Sequence, residues 1–471
     1  MKRPKEKINF TPILVETNVI KIHPAIDFKG DKGYFGIWLP VKQDERERLF
    51  LVTSHRELIP ADSLQGTNLK LNQIGIYMDR QWSVESLNNF LKSMNSVSPK
   101  EVFDEIKSLY EQYLEFSQPE IHDFMSLWVI GTYIFPIFQT YPYVYVGGVK
   151  QTGKSKTLYV TALIAFNSIF STSVTTSALF RLIQNGRCSV FMDETEGLRN
   201  PERKLDFRAV LLQGYKSGGK VQRVGKDTKE RHIVEHFEVY SPKMLANIFG
   251  LEDILEDRCI RIIMKRTLNR DIGNKEVNES NQVWQSIRDK LYVFAMDNWE
   301  EIKKIYEILP NETNLSSRGW ELWHPLLAIA SFLDKELYKT MTKLAEQKAN
   351  ENYIENITET GEYILIQSLV DLVQEKAGFI SVKDIRSKME SFYDEEQKWL
   401  NNKWIGRAMG RLGFTEKRRV GTGIEYMLNA SLVNDVASRL GIATAQSPQT
   451  SQTTLKSEVS EENAVNEDTS D

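Results

Sequence analysis

Between residues 143 and 158 the chain reads YVYVGGVKQTGKSKTL. Gly148, Gly153, Lys154 and Ser155 fall on the spacing G-x-x-x-x-G-K-[ST]. At a strand-to-helix turn that pattern lets backbone N–H groups converge on a phosphate, and the helix start adds positive potential. Lys154 is then placed to reach the β and γ phosphates, the Ser155 hydroxyl to ligate Mg²⁺, and Lys156 to extend the binding segment. A second chemical pair stands in CSVFMDETEG, where an apolar run ends in Asp193 and Glu194. Parallel sheets bind ligands at the carboxyl ends of their strands. There Asp193 would hold Mg²⁺ through water, and Glu194 would orient or deprotonate an attacking water. The second carboxylate favours hydrolysis over phosphoryl transfer to a metabolite, so ATP and Mg²⁺ are the implied cofactors.

Other elements must hold these groups in place. Residues 1–95 carry the strand signals YFGIWLPV, RLFLVTS and NQIGIYMD, and read as a small β-rich domain of unassigned role. From SPKEVFDEIKSLYEQYLEF the period becomes helical, and a second helix, PEIHDFMSLWVIGTYIF, follows. Then comes a strand–helix–strand–helix–strand series: YPYVYV, KSKTLYVTALIAF, STSVTT, SALFRLIQN and CSVFMDE. That alternation predicts a parallel sheet. A helix over 204–215, a basic hairpin and the strands EHFEVYSPKMLANI and CIRIIMK come next. Residues 280–348 are helical and read as a lid, so 96–348 form one nucleotide-binding module. Residues 355–442 have the helix–strand–helix–helix–hairpin order of a winged helix, and 443–471 have the composition of a disordered acidic tail.

At 471 residues the chain is too long for one ordinary core. Hydrophobic residues at 41% and charged residues at 26% describe a soluble globular protein. The net charge of -4 is uneven, because 443–471 hold six acidic side chains against one lysine. Nucleic-acid binding would therefore rest on local basic patches of a near-neutral body. Cys188 and Cys259 sit in apolar runs and read as buried hydrophobes, without a disulfide or zinc framework. His232 and His236 lie four apart on a strand-like segment, which is the wrong period for a metal pair. MKRPKEKINF lacks the apolar core of a signal peptide. MSLWVIGTYIFPIF is short for a membrane span and contains Pro136. A cytoplasmic protein with no membrane contact is the expectation.

The segments LWVIGTYIFPIFQTYPYVYVGGVKQTGKSK, SALFRLIQNGRCSVFMDETEG, FEVYSPKMLANI, LEDRCIRI and RGWELWHPLLAIA span roughly residues 120–335. Together they resemble the AAA+-type P-loop ATPase modules of plasmids, viruses and other mobile elements, related to superfamily-three and minichromosome-maintenance helicases. The resemblance implies an α/β additional-strand core with a helical lid, a homohexameric ring, ATP sites between subunits, and DNA in a central channel. By it Asn247, at a strand end, would touch the γ-phosphate and the attacking water. Arg258, between a short helix and a strand, would reach into the neighbouring subunit's site, with Arg261 as the competing finger. Arg318, at a helix start, would be the second sensor arginine.

DNA contacts are expected at two places. KVQRV and HIVEHFEV flank the turn GKDTKER, a hairpin with Lys226, Lys229 and Arg231 near its tip. Basic tips suit phosphate contacts without sequence preference, and in the helicases just named such a hairpin lines the channel. Lys398 to Arg419 hold seven basic residues against Glu416. Lys403, Arg407 and Arg411 share a helix face, and Lys417, Arg418 and Arg419 lie on the wing strand. The expected function is an ATP-hydrolysing DNA translocase, a replicative helicase or replication initiator of a mobile element moving along single-stranded DNA. The alternatives are an origin-binding or helicase-loader ATPase that uses ATP as a switch, and a regulatory AAA+ protein whose winged helix binds another protein.

Overall fold

The computed structural model describes residues 19–439 except 43, 65–67, 72–77, 79–80, 95, 172–174, 194–200, 227–230, 248–250, 252, 359–360, 394–396, 398 and 422. The chain divides into two compact units, Met1–Ala349 and Asn350–Asp471.

The first unit opens with β1 (Ile20–Ile22), β2 (Ile26–Lys29), β3 (Lys32–Val41), β4 (Asp44–Thr53), β5 (Leu58–Pro60), β6 (Leu69–Leu71) and α1 (Val84–Leu91). Strands β2 to β5 form an antiparallel meander, and β1 pairs in parallel with β6. Helices α2 (Pro99–Tyr113) and α3 (Glu120–Thr132) lead to β7 (Tyr143–Gly147), α4 (Lys154–Ile164), β8 (Ile169–Ser171), α5 (Thr176–Gly186) and β9 (Val190–Met192). Next are α6 (Pro201–Gln213), β10 (Lys220–Lys226), β11 (His232–Glu238), β12 (Lys243–Ala246), α7 (Asp253–Glu256), β13 (Cys259–Ile263) and α8 (Arg270–Asn274). Helices α9 (Gln282–Ile308) and α10 (Ser317–Leu333) follow, and α11 (Lys335–Thr358) runs across the division between the units.

The centre of this unit is a five-stranded sheet in the order β13-β7-β12-β9-β8, with every pairing parallel. Both faces of β7 are buried, and its alternation explains how. Val144 and Val146 turn to the large apolar cluster with Trp128, Leu158 and Trp284, while Tyr143 and Tyr145 turn to a second cluster with Leu179, Phe180 and Val210. A strand covered on two sides in this way reads as continuously apolar, as YVYVG does.

Three expectations are corrected. The strand expected at STSVTT lies earlier, at Ile169–Ser171, and Thr175 instead caps α5 by accepting from Ala178 N. EHFEVYSPKMLANI is two strands, β11 in the hairpin and β12 in the central sheet. The helices expected as a lid are core elements: Leu291, Phe294, Leu326 and Leu327 of α9 and α10 are fully buried in the same cluster as Trp128 of α3. Hydrophobic periodicity finds the helices, but only packing shows what they cover.

Nor is position 95 a boundary of packing. Phe35 and Val52 of the amino-terminal strands belong to the same cluster as Trp128 and Tyr292. Polar contacts join them to α5 as well. Buried Asp27 sits 3.3 Å from Arg187, which caps α5 in the left-handed conformation at φ 47° and donates to Ile26 O at 2.7 Å. His23 Nε2 contacts Gln184 O at 2.7 Å, and its Nδ1 accepts from Ala25 N at 3.2 Å, which fixes a neutral imidazole. NQIGIYMD falls almost wholly outside the described residues.

The second unit contains α12 (Gly361–Glu375), β14 (Gly378–Ser381), α13 (Val382–Glu390), α14 (Asn402–Arg411), β15 (Lys417–Val420), β16 (Gly423–Leu428) and α15 (Ala430–Arg439). Its antiparallel sheet has the order β14-β16-β15. Leu369, Ile385, Ile405, Met409 and Tyr426 make a core of their own. Tail residues 443–471 lie outside the described residues. Among the described residues no helix is long and apolar enough to cross a membrane.

Burial, and secondarily Arg187, lower the pKa of His23 from 6.5 to about 3. Between those values the unfolded chain binds a proton that folded His23 refuses, so stability falls as pH drops through the window. The expected contribution is a loss of about 2 kcal/mol between pH 6.5 and about pH 5. A His23→Gln variant should show a correspondingly flatter acid limb when unfolding midpoints are measured against pH.

Candidate functional site

In a parallel sheet every strand delivers its carboxyl end to the same edge. Register sets the levels: Ala246 lies opposite Val146, and Leu245 opposite Met192. The turn after β7, Asp193 after β9 and Asn247 after β12 therefore emerge side by side. Strand β12 separates the other two.

The turn itself is tightly built. Gly148 has φ 140°, and a Cβ there would come within 2.6 Å of Met264 O, so only glycine lets β13's exit approach the loop. Gly153 has φ 89° and starts α4. Gln151 adopts φ 62° without being glycine, a conformation that costs about 1–2 kcal/mol. Lys154 is buried, and its Nζ donates to Gly148 O and Val149 O, both at 2.8 Å. Ser155 is exposed in the first turn of α4. Its hydroxyl, the ammonium of Lys154 and the glycine-shaped turn make a donor set that fits a magnesium-bound polyphosphate.

Asp193 is half-buried directly after β9, while Glu194 lies outside the described residues. Asn247 is buried, and its Oδ1 accepts from the Tyr145 hydroxyl at 2.8 Å. The carboxamide oxygen is thereby turned toward β7, and its nitrogen faces the other way. Tyr145 was not singled out from the sequence. The signal for it was its inward-facing parity on the loop strand.

Beside the loop opens a cavity of about 630 Å³, walled by Tyr113, Leu114, Thr152, Met264 and Ile272 among others. Lys156 belongs to this wall: its Nζ donates to Ile272 O at 2.8 Å and lies 5.9 Å from the Tyr113 ring. Desolvation, then the charge of Lys275, lowers its pKa. Its ammonium is therefore engaged away from the turn. The 264–274 segment that shapes the cavity carried no motif and was missed.

Arg258 occupies the opposite edge. It precedes β13, and five residues at about 3.3 Å each put roughly 16 Å between it and the loop edge. Its guanidinium donates to Leu212 O at 3.3 Å and to Ile254 O, and lies 4.9 Å from the Tyr215 ring. Arg261, the competitor, is paired with Glu256 at 2.5 Å. Arg318 is not beside the phosphate loop. It donates to the Tyr215 hydroxyl at 2.9 Å and pairs with Glu321, while Tyr215 O accepts from Tyr141 N just before β7. Both arginines thus share Tyr215 at the amino edge of the sheet, and neither can serve its own chain's loop.

The basic residues expected to meet DNA divide further. Lys226 ends β10 opposite His232, Arg231 is exposed beside it, and Lys229 lies outside the described residues. The hairpin leaves the core with Val224 and Val234 paired on an exposed face. In the second unit, Lys403 and Arg407 are exposed on α14, and Lys417 and Arg419 on β15. Arg411 is instead held by Glu362 through two nitrogens, at 2.6 and 2.8 Å. Arg418 is held by Glu425 at 2.7 Å and stacks 3.9 Å from Phe379. His232 and His236 are exposed, and no cluster of three metal-ligating side chains occurs among the described residues.

Comparison with protein-family models and with curated proteins gives no match. Among solved structures, similar chains include SCCmec type IV Cch, described as an active helicase, at a TM-score of 0.39 and 12% identity over 90% of this chain and 100% of that one. The apo A form of the NrS-1 C-terminal region gives 0.32 and 12%, over 84% and 96%. Aeropyrum pernix ORC1 in complex with DNA gives 0.19 and 11%, over 63% and 86%. Likeness at this distance decides nothing about chemistry, which has to come from the chain's own residues.

The Tyr145–Asn247 bond yields a test. Tyr145→Phe should lower ATP turnover about tenfold while nucleotide affinity stays within about twofold, because it frees the carboxamide to rotate and leaves the phosphate turn intact. Steady-state kinetics with a separate binding titration checks both.

Proposed function

We propose that the chain is an ATP-hydrolysing DNA translocase of the AAA+ type, working as a ring of identical subunits. One observation carries this reading. The strand order β13-β7-β12-β9-β8 puts Asn247 between the phosphate turn and Asp193, and puts Arg258 on the far edge. An arginine there completes a site only across a head-to-tail contact, which repeats from copy to copy and forms a ring where the rotation between copies closes. Such a ring is proposed as a homohexamer.

In this reading Gly148, Gly153, Lys154 and Ser155 bind the phosphates, and Ser155 with Asp193 holds Mg²⁺. Bound ATP supplies the phosphoryl group that water attacks. Glu194 orients or deprotonates that water, Asn247 positions it, and the neighbour's Arg258 stabilises charge on the transferred group. Arg318 joins Arg258 on the neighbour's side. The β10–β11 hairpin, with Lys226, Lys229 and Arg231 toward its tip, contacts single-stranded DNA by its phosphates. The second unit is read as a winged helix, with Lys403 and Arg407 on α14 and Lys417 and Arg419 on the wing facing DNA. A replicative helicase or initiator of a mobile element is the role these parts suit. The exposed α14 face and wing also favour a second reading, an origin-binding or loader ATPase.

Lys154→Ala and Arg258→Ala should each abolish ATP turnover stimulated by single-stranded DNA. Mixing the two inactive variants should restore part of it, since a subunit with intact Lys154 then meets a neighbour with intact Arg258. Turnover that ignores DNA in the wild type would remove the translocase reading, and mixtures that stay dead would remove the shared site. Lys403→Ala with Arg407→Ala should weaken DNA binding and reduce the slope of log affinity against log salt by about 2. Titration at three salt concentrations measures it.

A further inference from the structure

Lys243, the first residue of β12, is fully buried, and no carboxylate among the described residues pairs with it. Four oxygens surround its Nζ: Val239 O and Ser241 O at 3.0 Å, Ser241 Oγ at 3.1 Å and Gly214 O at 3.3 Å. The Tyr143 ring lies 4.9 Å away. Three backbone carbonyls and one hydroxyl thus converge on a single nitrogen that carries several N–H donors. Burial pulls the pKa well below that of an ordinary lysine.

The oxygens belong to segments with separate tasks. Gly214 follows α6, the helix after the Asp193 segment, and Val239 and Ser241 form the link by which the hairpin enters β12. The backbones meet so closely here that side chains are excluded. A Cβ on Gly214 would lie 2.3 Å from Val239 O, and one on Gly219 would lie 1.9 Å from Gln213 O. Ser241 N donates to Gly214 O at 3.1 Å, and Val239 N to Gly219 O at 3.0 Å. The hairpin base is therefore a joint without a hinge. Beyond it, β12 is paired on both sides and is followed directly by Asn247, four residues after Lys243.

We infer that Lys243 is a positioning residue that locks the hairpin base to β12, so that displacement of the hairpin and displacement of Asn247 are one motion. This rests on the reading of the hairpin as the DNA contact. It explains why a lysine rather than an apolar residue begins a buried strand: only a multiple donor can tie the helix end, the hairpin exit and the strand to one point.

The test compares wild type with Lys243→Met, which keeps the stem and removes the donors, and with Ser241→Ala, which removes one acceptor. ATP turnover is measured with and without single-stranded DNA. Amide exchange across 220–226 and 232–238 is followed with and without a non-hydrolysable ATP analogue. Unstimulated turnover should stay within about twofold. Stimulation by DNA should fall about tenfold in Lys243→Met and twofold to threefold in Ser241→Ala, and the hairpin's exchange should cease to respond to nucleotide. Variants that keep both full stimulation and a nucleotide-responsive hairpin would reduce Lys243 to packing. Should Lys243→Met fail to fold, Ser241→Ala decides by the same readouts. If the wild type ignores DNA, the translocase reading falls, while the exchange measurement still decides the joint.

Discussion

Everything functional in the first unit depends on one constraint, the burial of β7 on both faces while it is paired on both sides. Five residues, Tyr143 to Gly147, separate the helical cluster from the cluster beneath α5 and α6. Because its neighbours β12 and β13 run parallel to it, the strand fixes two edges of opposite character. Chain turns, Asp193 and Asn247 collect at the carboxyl edge. Arg258, Tyr215 and Arg318 collect at the amino edge. Sliding β7 by one residue would exchange valines for tyrosines and disrupt both clusters at once.

Supports for β7 are polar as well as apolar. Trp128 Nε1 donates to Pro142 O at 2.9 Å, and the Tyr141 hydroxyl to Trp128 O at 2.6 Å, so α3 holds the strand's entry. Gly131 allows this contact, because a Cβ there would lie 2.1 Å from the Tyr141 hydroxyl. The Tyr143 hydroxyl donates to Leu211 O at 3.0 Å and ties the strand to α6. These bonds satisfy groups that would otherwise be stranded in a dry interior, where an unmade hydrogen bond costs about 1–3 kcal/mol. The same strand therefore anchors the lead-in helix, the helix after Asp193 and, through Tyr145, the carboxamide of Asn247.

The amino-terminal strands gain meaning from this frame. Gln184 of α5 receives His23 on its backbone oxygen, and its side-chain Oε1 accepts from Glu238 N of the hairpin at 2.9 Å. On the same helix face the Phe180 ring packs against Phe237, with centroids 4.4 Å apart and the planes tilted by 52°. Helix α5 thus stands between the amino-terminal strands and the hairpin and braces one against the other. Packing contacts of this kind leave no chemical motif behind, which is why those strands read as mute.

The sequence by itself determined the local chemistry. The glycines, lysine and serine of the phosphate turn, the aspartate after an apolar run, the parallel alternation and the basic hairpin all follow from spacing and periodicity, which act over a few residues. It did not determine which side of the sheet a residue would face once the chain had crossed over. Arg318 at a helix start and Arg258 before a strand look alike as isolated arginines; the parallel pairing of β13 put Arg258 on the far edge, and the packing of α10 against Tyr215 put Arg318 there. Arg411 and Arg418 read as DNA contacts, and only the fold shows that Glu362 and Glu425 stand beside them. Lys243 read as one more residue of a strand, and Tyr145 as one more aromatic. Partners supplied across tens or hundreds of residues are set by strand order and register, and those come from the burial of whole faces, not from any local pattern.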